Sequence, residues 1–354
     1  MSRLRATLAF AVFLAPAVLN AQSDPALWRF VSADSKALIS IDWARIRQSS
    51  AGAMIREKWL GANALPAIPG LELLDDIDRV LISSPGKAAP GDSAESPMLV
   101  AIQGHFDAAQ VRQVFTRLGA KPQAYNSFQV YRPQGKNAKP TAWVLFDAQT
   151  ILYGDAPSVF AALDRNQFGP PGQANGSMLA RASAMETNYE FWAIMDVTEI
   201  MSTDQVAALF RGGEWASEAL GFEAGVNLRA GLAADITVRF SSEATAKRVT
   251  AQLTRVINLA AKDKTSGAPV QDLARRLKFN LDGSATKISL RLSEQELEKS
   301  AQAFAAGYKT SARVAANPPP GLIPIPAPAK PAVIRIEGLD DGPREIPFPT
   351  PQHE

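Results

Sequence analysis

Ala37-Leu-Ile-Ser-Ile-Asp42-Trp-Ala-Arg-Ile46 and Phe191-Trp-Ala-Ile-Met-Asp196-Val-Thr-Glu-Ile200 read alike, with Asp42 falling on Asp196 and Ile46 on Ile200. Each is an apolar, strand-like run that ends in an aspartate and leads into a helical pattern. Downstream of each, a strand, a helix with an apolar face, two more strands and a closing helix follow in the same order. A repeated order of elements predicts α+β architecture: two tandem copies of an antiparallel sheet, with helices packed on one face. The boundaries that follow are 22–168 for the first copy, 169–188 for a linker opening on Gly169-Pro-Pro-Gly172, and 189–310 for the second copy. The link also contains a stretch, 178–185, able to form a short helix.

Val80-Leu-Ile-Ser83, Met98 to Ile102, Phe128 to Tyr131, Trp143 to Phe146 and Ile151-Leu-Tyr153 read as further strands of the first copy. Asp107 caps a helix with Val111, Val114, Phe115 and Leu118 at spacings of three and four, and Gly119 ends it. In the second copy every even position from Phe222 to Phe240 is apolar. That alternation predicts a sheet with one buried and one wet face, turning near Ala230-Gly231. Ser242 opens a long helix carrying Val249, Leu253, Val256 and Ile257. Leu277, Phe279 and Leu281 then pair across Asp282-Gly283 with Ile288, Leu290 and Leu292. Ser293-Glu-Gln-Glu296 is a capping box for the last helix.

The first 21 residues have the parts of a secretory signal: Arg3 and Arg5, an apolar run from Ala6 to Leu19, and Leu19-Asn20-Ala21 as cleavage site. The run is shorter than the roughly 20 residues of a membrane span, so export with no integral span after cleavage is expected, to a periplasmic or extracellular location. Losing Arg3 and Arg5 with the signal brings the 37 basic residues level with the 35 acidic ones. A neutral mature chain argues against a nucleic-acid partner, whose binding rests on neutralising phosphates. With zero Cys no disulfide contributes.

Catalytic signals are sparse. Two His exist, His105 in a strand-to-helix turn and His353 in the tail, and no Cys accompanies them. Asp75, Asp76 and Asp78 miss the alternating pattern and glycine of a calcium loop, so they read as a solvated turn. Asp42 and Asp196 end their strands where a helix cap needs the same residue. Phosphate-cradling glycine loops and the Gly-x-Ser-x-Gly elbow are absent from the sequence. The expectation is therefore no catalytic residues, no cofactor, no metal and no enzyme activity.

From Ser311 the composition shifts, and eleven of the chain's 25 prolines lie between Pro318 and Pro351. The 311–354 tail reads as a disordered, extended spacer. Within it, residues 332–339 form a strand-like segment with no evident pairing neighbour in the sequence. Val333, Ile334, Ile336 and Leu339 are therefore expected to dock, by strand addition, on a protein partner or a second copy.

Gly104-His-Phe-Asp107 before a helix, Phe128-Gln-Val-Tyr131, and Ile151-Leu-Tyr-Gly-Asp155 before the closing helix resemble an uncharacterised group of exported bacterial proteins, over about residues 25–310. The resemblance implies an exported α+β protein and supplies no activity. Residues and resemblance together lead to a non-enzymatic cell-envelope protein that binds or scaffolds a partner. A binder of lipid or another apolar small molecule in a groove between copies, and a hydrolase with an unfamiliar site, are the alternatives.

Overall fold

The computed structural model describes residues 25–59, 75–86, 97–135, 140–168, 176–200, 218–263, 268–300, 333–336 and 344–347. The signal segment, most of the tail and Leu339 lie outside the described residues. The chain divides into two units, Met1–Ala301 and Gln302–Glu354.

The first unit begins with α1 (Pro25–Trp28), β1 (Ala37–Asp42), α2 (Trp43–Gln48), α3 (Ser50–Trp59), β2 (Ile77–Ser84) and β3 (Leu99–Gly104). It continues with α4 (Ala108–Arg117), β4 (Ala120–Tyr125), β5 (Phe128–Pro133), β6 (Thr141–Asp147), β7 (Thr150–Asp155) and α5 (Ala156–Phe168). Then come α6 (Gly176–Asn188), β8 (Phe191–Asp196), α7 (Val197–Ile200), β9 (Ala219–Asn227) and β10 (Leu232–Phe240). The last elements are α8 (Glu243–Ala260), α9 (Ala268–Arg276), β11 (Lys278–Asp282) and β12 (Ala285–Leu292).

All twelve strands join one antiparallel sheet in the order β11-β12-β10-β9-β8-β1-β2-β3-β7-β6-β5-β4. Its centre is the pairing of β1 with β8, where Ala37 faces Met195, Ile39 faces Ala193 and Ile41 faces Phe191. Aligning Asp42 with Asp196 makes Ala37 equivalent to Phe191 and Ile41 to Met195. That register is what a local two-fold axis between Ile39 and Ala193 requires. Strand order runs outward alike on each side: β1-β2-β3-β7-β6 one way and β8-β9-β10-β12-β11 the other. The β4–β5 hairpin extends the first half by two strands.

Helices lie on both faces of this sheet, which corrects the one-face expectation. Side chains alternate across a strand, so the register assigns them to faces. One face carries Tyr131, Trp143 and Ile151 under Val111, Val114 and Phe115 of α4. It also carries Phe222, Ile236 and Val238 under Ala246 and Val249 of α8. The opposite face carries Leu38, Leu81, Leu152, Trp192 and Ile194, covered by α1, α5 and α6. In the second half the alternation separates an apolar face under α8 from a polar one, and on the polar face Arg181, Tyr189 and Arg239 cover part of β9. First-half strands such as Thr150-Ile-Leu-Tyr-Gly-Asp155 are apolar on both sides, because helices cover both.

Three further differences have physical causes. Part of the 169–188 link is the helix α6, whose Met178 and Ala182 are buried in the main core. Asp42 starts an additional helix, α2, by accepting a bond from the Arg45 amide. β4 has a polar edge sequence, Ala-Lys-Pro-Gln-Ala-Tyr, which gives no alternating signal.

In the second unit β13 (Val333–Ile336) pairs antiparallel with β14 (Arg344–Pro347), Ile334 facing Ile346. The tail strand therefore has a neighbour in its own sequence. Arg344-Glu-Ile-Pro347 escapes pattern reading because it is short and ends in proline.

Candidate functional site

The repeated aspartates are the natural starting point, since each closes the first strand of its half. Asp42 is buried. Its Oδ1 accepts the Arg45 amide at 3.0 Å, and its Oδ2 lies 3.2 Å from Arg45 Nε and 3.3 Å from Arg79 Nη2. Arg79 reaches on to Glu186 Oε1 of α6 at 2.9 Å. One chain of charge-assisted bonds thus ties β1, β2, α2 and α6 together, with both Asp42 oxygens engaged in holding the fold.

Around Asp196 the same residue types are wired differently. Asp196 lies 3.9 Å from Arg181 Nη1, and Arg181 Nε donates to Glu223 Oε1 at 2.8 Å. Arg239 donates to the same oxygen at 2.5 Å. The strand partner of Asp42 is Arg79, whereas that of Asp196 is Gly221. Arg239 covers that glycine: a Cβ there would stand 2.8 Å from Arg239 Nη2. Burial raises the Glu223 pKa, but the Arg239 hydrogen bond and the charges of Arg181 and Arg239 outweigh it and hold the carboxyl below its ordinary value.

Beside this network, Tyr189 packs over Gly225 and donates to Asp235 Oδ2 at 2.9 Å. Arg291 Nη2 donates to both Asp235 oxygens at 2.8 Å. Burial, then the bond and charge of Asp235, push the Tyr189 phenol up to about 12. Glu190, only 1 % exposed, accepts the Leu228 amide and Arg229 Nε at 2.7 Å each and so pins the β9–β10 turn. Sequence reading missed Arg79, Arg181, Glu186 and Glu190. Their partners lie far along the chain, and no local spacing announces such pairs.

His105 is 77 % exposed, with Nδ1 3.0 Å from Asp78 Oδ2, and Asp107 caps α4 through the Gln110 amide at 2.7 Å. Arg47 of α2 bonds Asp78 at 3.1 Å and the Asp75 carbonyl, so this acidic turn is anchored by a cation of the chain itself. Among the described residues no three His, Asp or Glu side chains gather as a metal site would need. No described helix is long and apolar enough to cross a membrane.

The expected docking residues Val333, Ile334 and Ile336 all lie in β13, and Leu339 and His353 lie outside the described residues. The junction between halves is β1–β8 backbone pairing, with Trp28 stacked 6.2 Å from Trp192 on one face. Among the described residues the halves meet strand to strand. Two shallow depressions lie elsewhere: about 390 Å³ beside Leu232, Arg291 and Glu296, and about 330 Å³ along Thr254, Asn258 and Leu259.

Fold and charge networks together define an α+β protein built on one twelve-stranded antiparallel sheet. Its architecture is similar to the crystal structure of TP0453 in crystal form I, with a TM-score of 0.45 and 11% identity over 80% of this chain and 98% of that one. No protein-family description matches the chain, and no curated protein does.

Proposed function

We propose that the chain is an internally duplicated, exported protein of the cell envelope that binds a protein partner and performs no chemistry of its own. The tail segment 332–339 is its docking element. The observation that carries the reading is the β13–β14 ribbon, which belongs to a unit distinct from the sheet-bearing body. Two strands alone are marginal in water, so a ribbon of this kind gains order by adding to another sheet or surface. The wiring of Asp42, Glu223 and Glu190 supports the non-enzymatic part, because each carboxylate holds elements of the fold together. The duplication draws its support from the matching strand orders and from the Ile39–Ala193 register.

Crosslinking in the native envelope tests this reading. The full chain should capture a discrete partner, and deleting 317–354 should abolish that capture while circular dichroism of the body stays unchanged. Crosslinks that survive the deletion would reject docking through the tail.

A further inference from the structure

Among the described residues β11 is one outer edge of the sheet, and its sequence Lys278-Phe-Asn-Leu-Asp282 complements itself when run antiparallel. Lys278 then faces Asp282 of the second strand, Phe279 faces Leu281, and Asn280 sits on the two-fold axis.

The backbone has the right parity for this pairing. Gly283-Ser284 is a two-residue turn closed by the Asp282–Ala285 pair. Gly283 has φ +56°, as the first position of a type II′ turn requires. The closing pair of such a turn exchanges both backbone bonds. Alternation then points the amides and carbonyls of Lys278, Asn280 and Asp282 toward β12, and those of Phe279 and Leu281 outward. In the self-pairing, Phe279 lies opposite Leu281, so outward groups meet outward groups at both symmetric positions.

A second observation concerns β11 and the two helices in contact with it or with its neighbour. Of the seven large apolar side chains exposed among the described residues, four are Val256 and Leu259 of α8, Val270 of α9 and Leu281 of β11. Val256 stands seven residues after the buried Val249, on the same stripe of α8, yet it is 54 % exposed. α8 packs on β10, β12, β11 and α9, and Ala246, Val249 and Leu253 of its apolar stripe join the cluster beneath it. Leu259 of the same helix is 64 % exposed, and Leu281 of β11 is 40 % exposed.

The other edge of the sheet is built differently. β4 carries Lys121 and Pro122, a charge and a missing amide that blunt strand addition. Lys287 does bond Asp282 at 2.5 Å, but both side chains are more than half exposed, and such a pair is weak enough to share.

We propose that β11 is a homodimer edge: a second copy of this chain pairs antiparallel about Asn280, continuing the sheet and covering Leu281. This occupant is independent of any partner of the tail.

Sedimentation equilibrium of the mature chain, at concentrations up to about 100 μM, tests the proposal. The wild type should be dimeric, and deletion of 317–354 should leave it so. Leu281→Pro removes an outward amide without touching the β11–β12 ladder, so it should give a monomer with unchanged circular dichroism. Lys278→Asp and Asp282→Lys should each weaken the dimer by about tenfold, since each places like charges opposite at both symmetric positions. Mixing those two variants should restore a mixed dimer, because the opposed charges again differ in sign. The charge-swap mixture decides the matter if Leu281→Pro fails to fold. A monomeric wild type, dimerisation lost with the tail, or equal affinity in all charge variants and their mixture would overturn the proposal.

Discussion

The two flanks of the sheet share a strand order and differ in what covers them. On the β3-β7-β6 flank both faces are packed, by Phe115 of α4 on one side and by Val159 and Leu163 of α5 on the other. On the β10-β12-β11 flank α8 covers one face. The other presents Asp235, Thr237, Lys287, Ser289 and Arg291, all at alternate positions in register. One topology therefore tolerates either two buried faces or one, and the choice is made by strand composition rather than by connectivity.

Substitutions at matched positions of the two flanks should have the largest and most unequal effects. Leu152 of β7 and Ser289 of β12 occupy equivalent strands on the same face, one buried under α5 and α6, the other on the charged side. Leu152→Ser should cost about 3–5 kcal/mol in urea denaturation, through a cavity and an unpaired hydroxyl. Ser289→Ala should stay within about 0.5 kcal/mol. Equal losses would show that the two flanks are not packed differently.

A smaller contrast separates the central charges from the peripheral ones. Arg79, Asp42 and Glu186 have side chains 18 %, 12 % and 10 % exposed, so Arg79→Ala removes a cation shared by two mostly buried carboxylates and should cost about 2–3 kcal/mol. Arg291→Ala, where the arginine is 56 % exposed and its partner Asp235 30 %, should cost below about 1 kcal/mol. Denaturation midpoints of the two variants, measured at one pH and salt concentration, provide the check.

The smallest effects at neutral pH are titrations. Tyr189 has an ordinary pKa of 10.0 and is pushed up to about 12 in the fold. The folded state thus holds the proton more tightly. Stability present below pH 10 is lost as pH rises from 10 towards 12. Tyr189→Phe should flatten that alkaline slope in pH-dependent melts. Glu223 works in the opposite direction. Its pKa is held down, so its contribution is present above the ordinary carboxylate range and is lost as pH falls through the lowered value. Glu223→Gln should flatten the acid arm instead.

Much of this fold is legible in the sequence because the relevant signals are local. The even-position apolar run from Phe222 to Phe240 announces β9 and β10, and Asp282-Gly283 announces the β11–β12 turn. Asp107 announces α4 through the cap it supplies. What escapes depends on distant partners. No spacing says that β1 and β8 join edge to edge, or that Arg79 reaches Glu186 across 107 positions. The second helical layer escapes for a related reason. An apolar run such as Ile151-Leu-Tyr153 is equally compatible with one buried face or two until its neighbours are known. The tail strand was legible as β-forming, but its partner, ending in Pro347, was not.

The placement of β1 in the middle of the sheet has a consequence for the order in which the molecule can be assembled. As the chain is made, β2 reaches β1 early, but the other side of β1 stays open until residues 191–196 arrive. Through that interval Ile39 and Ile41 stand on a bare edge, with unpaired backbone groups in a strand that ends up at the centre. The late arrival of β8 closes the edge and joins the halves in one event. A ribosome stalled between them would hold a template to which any extended chain could add.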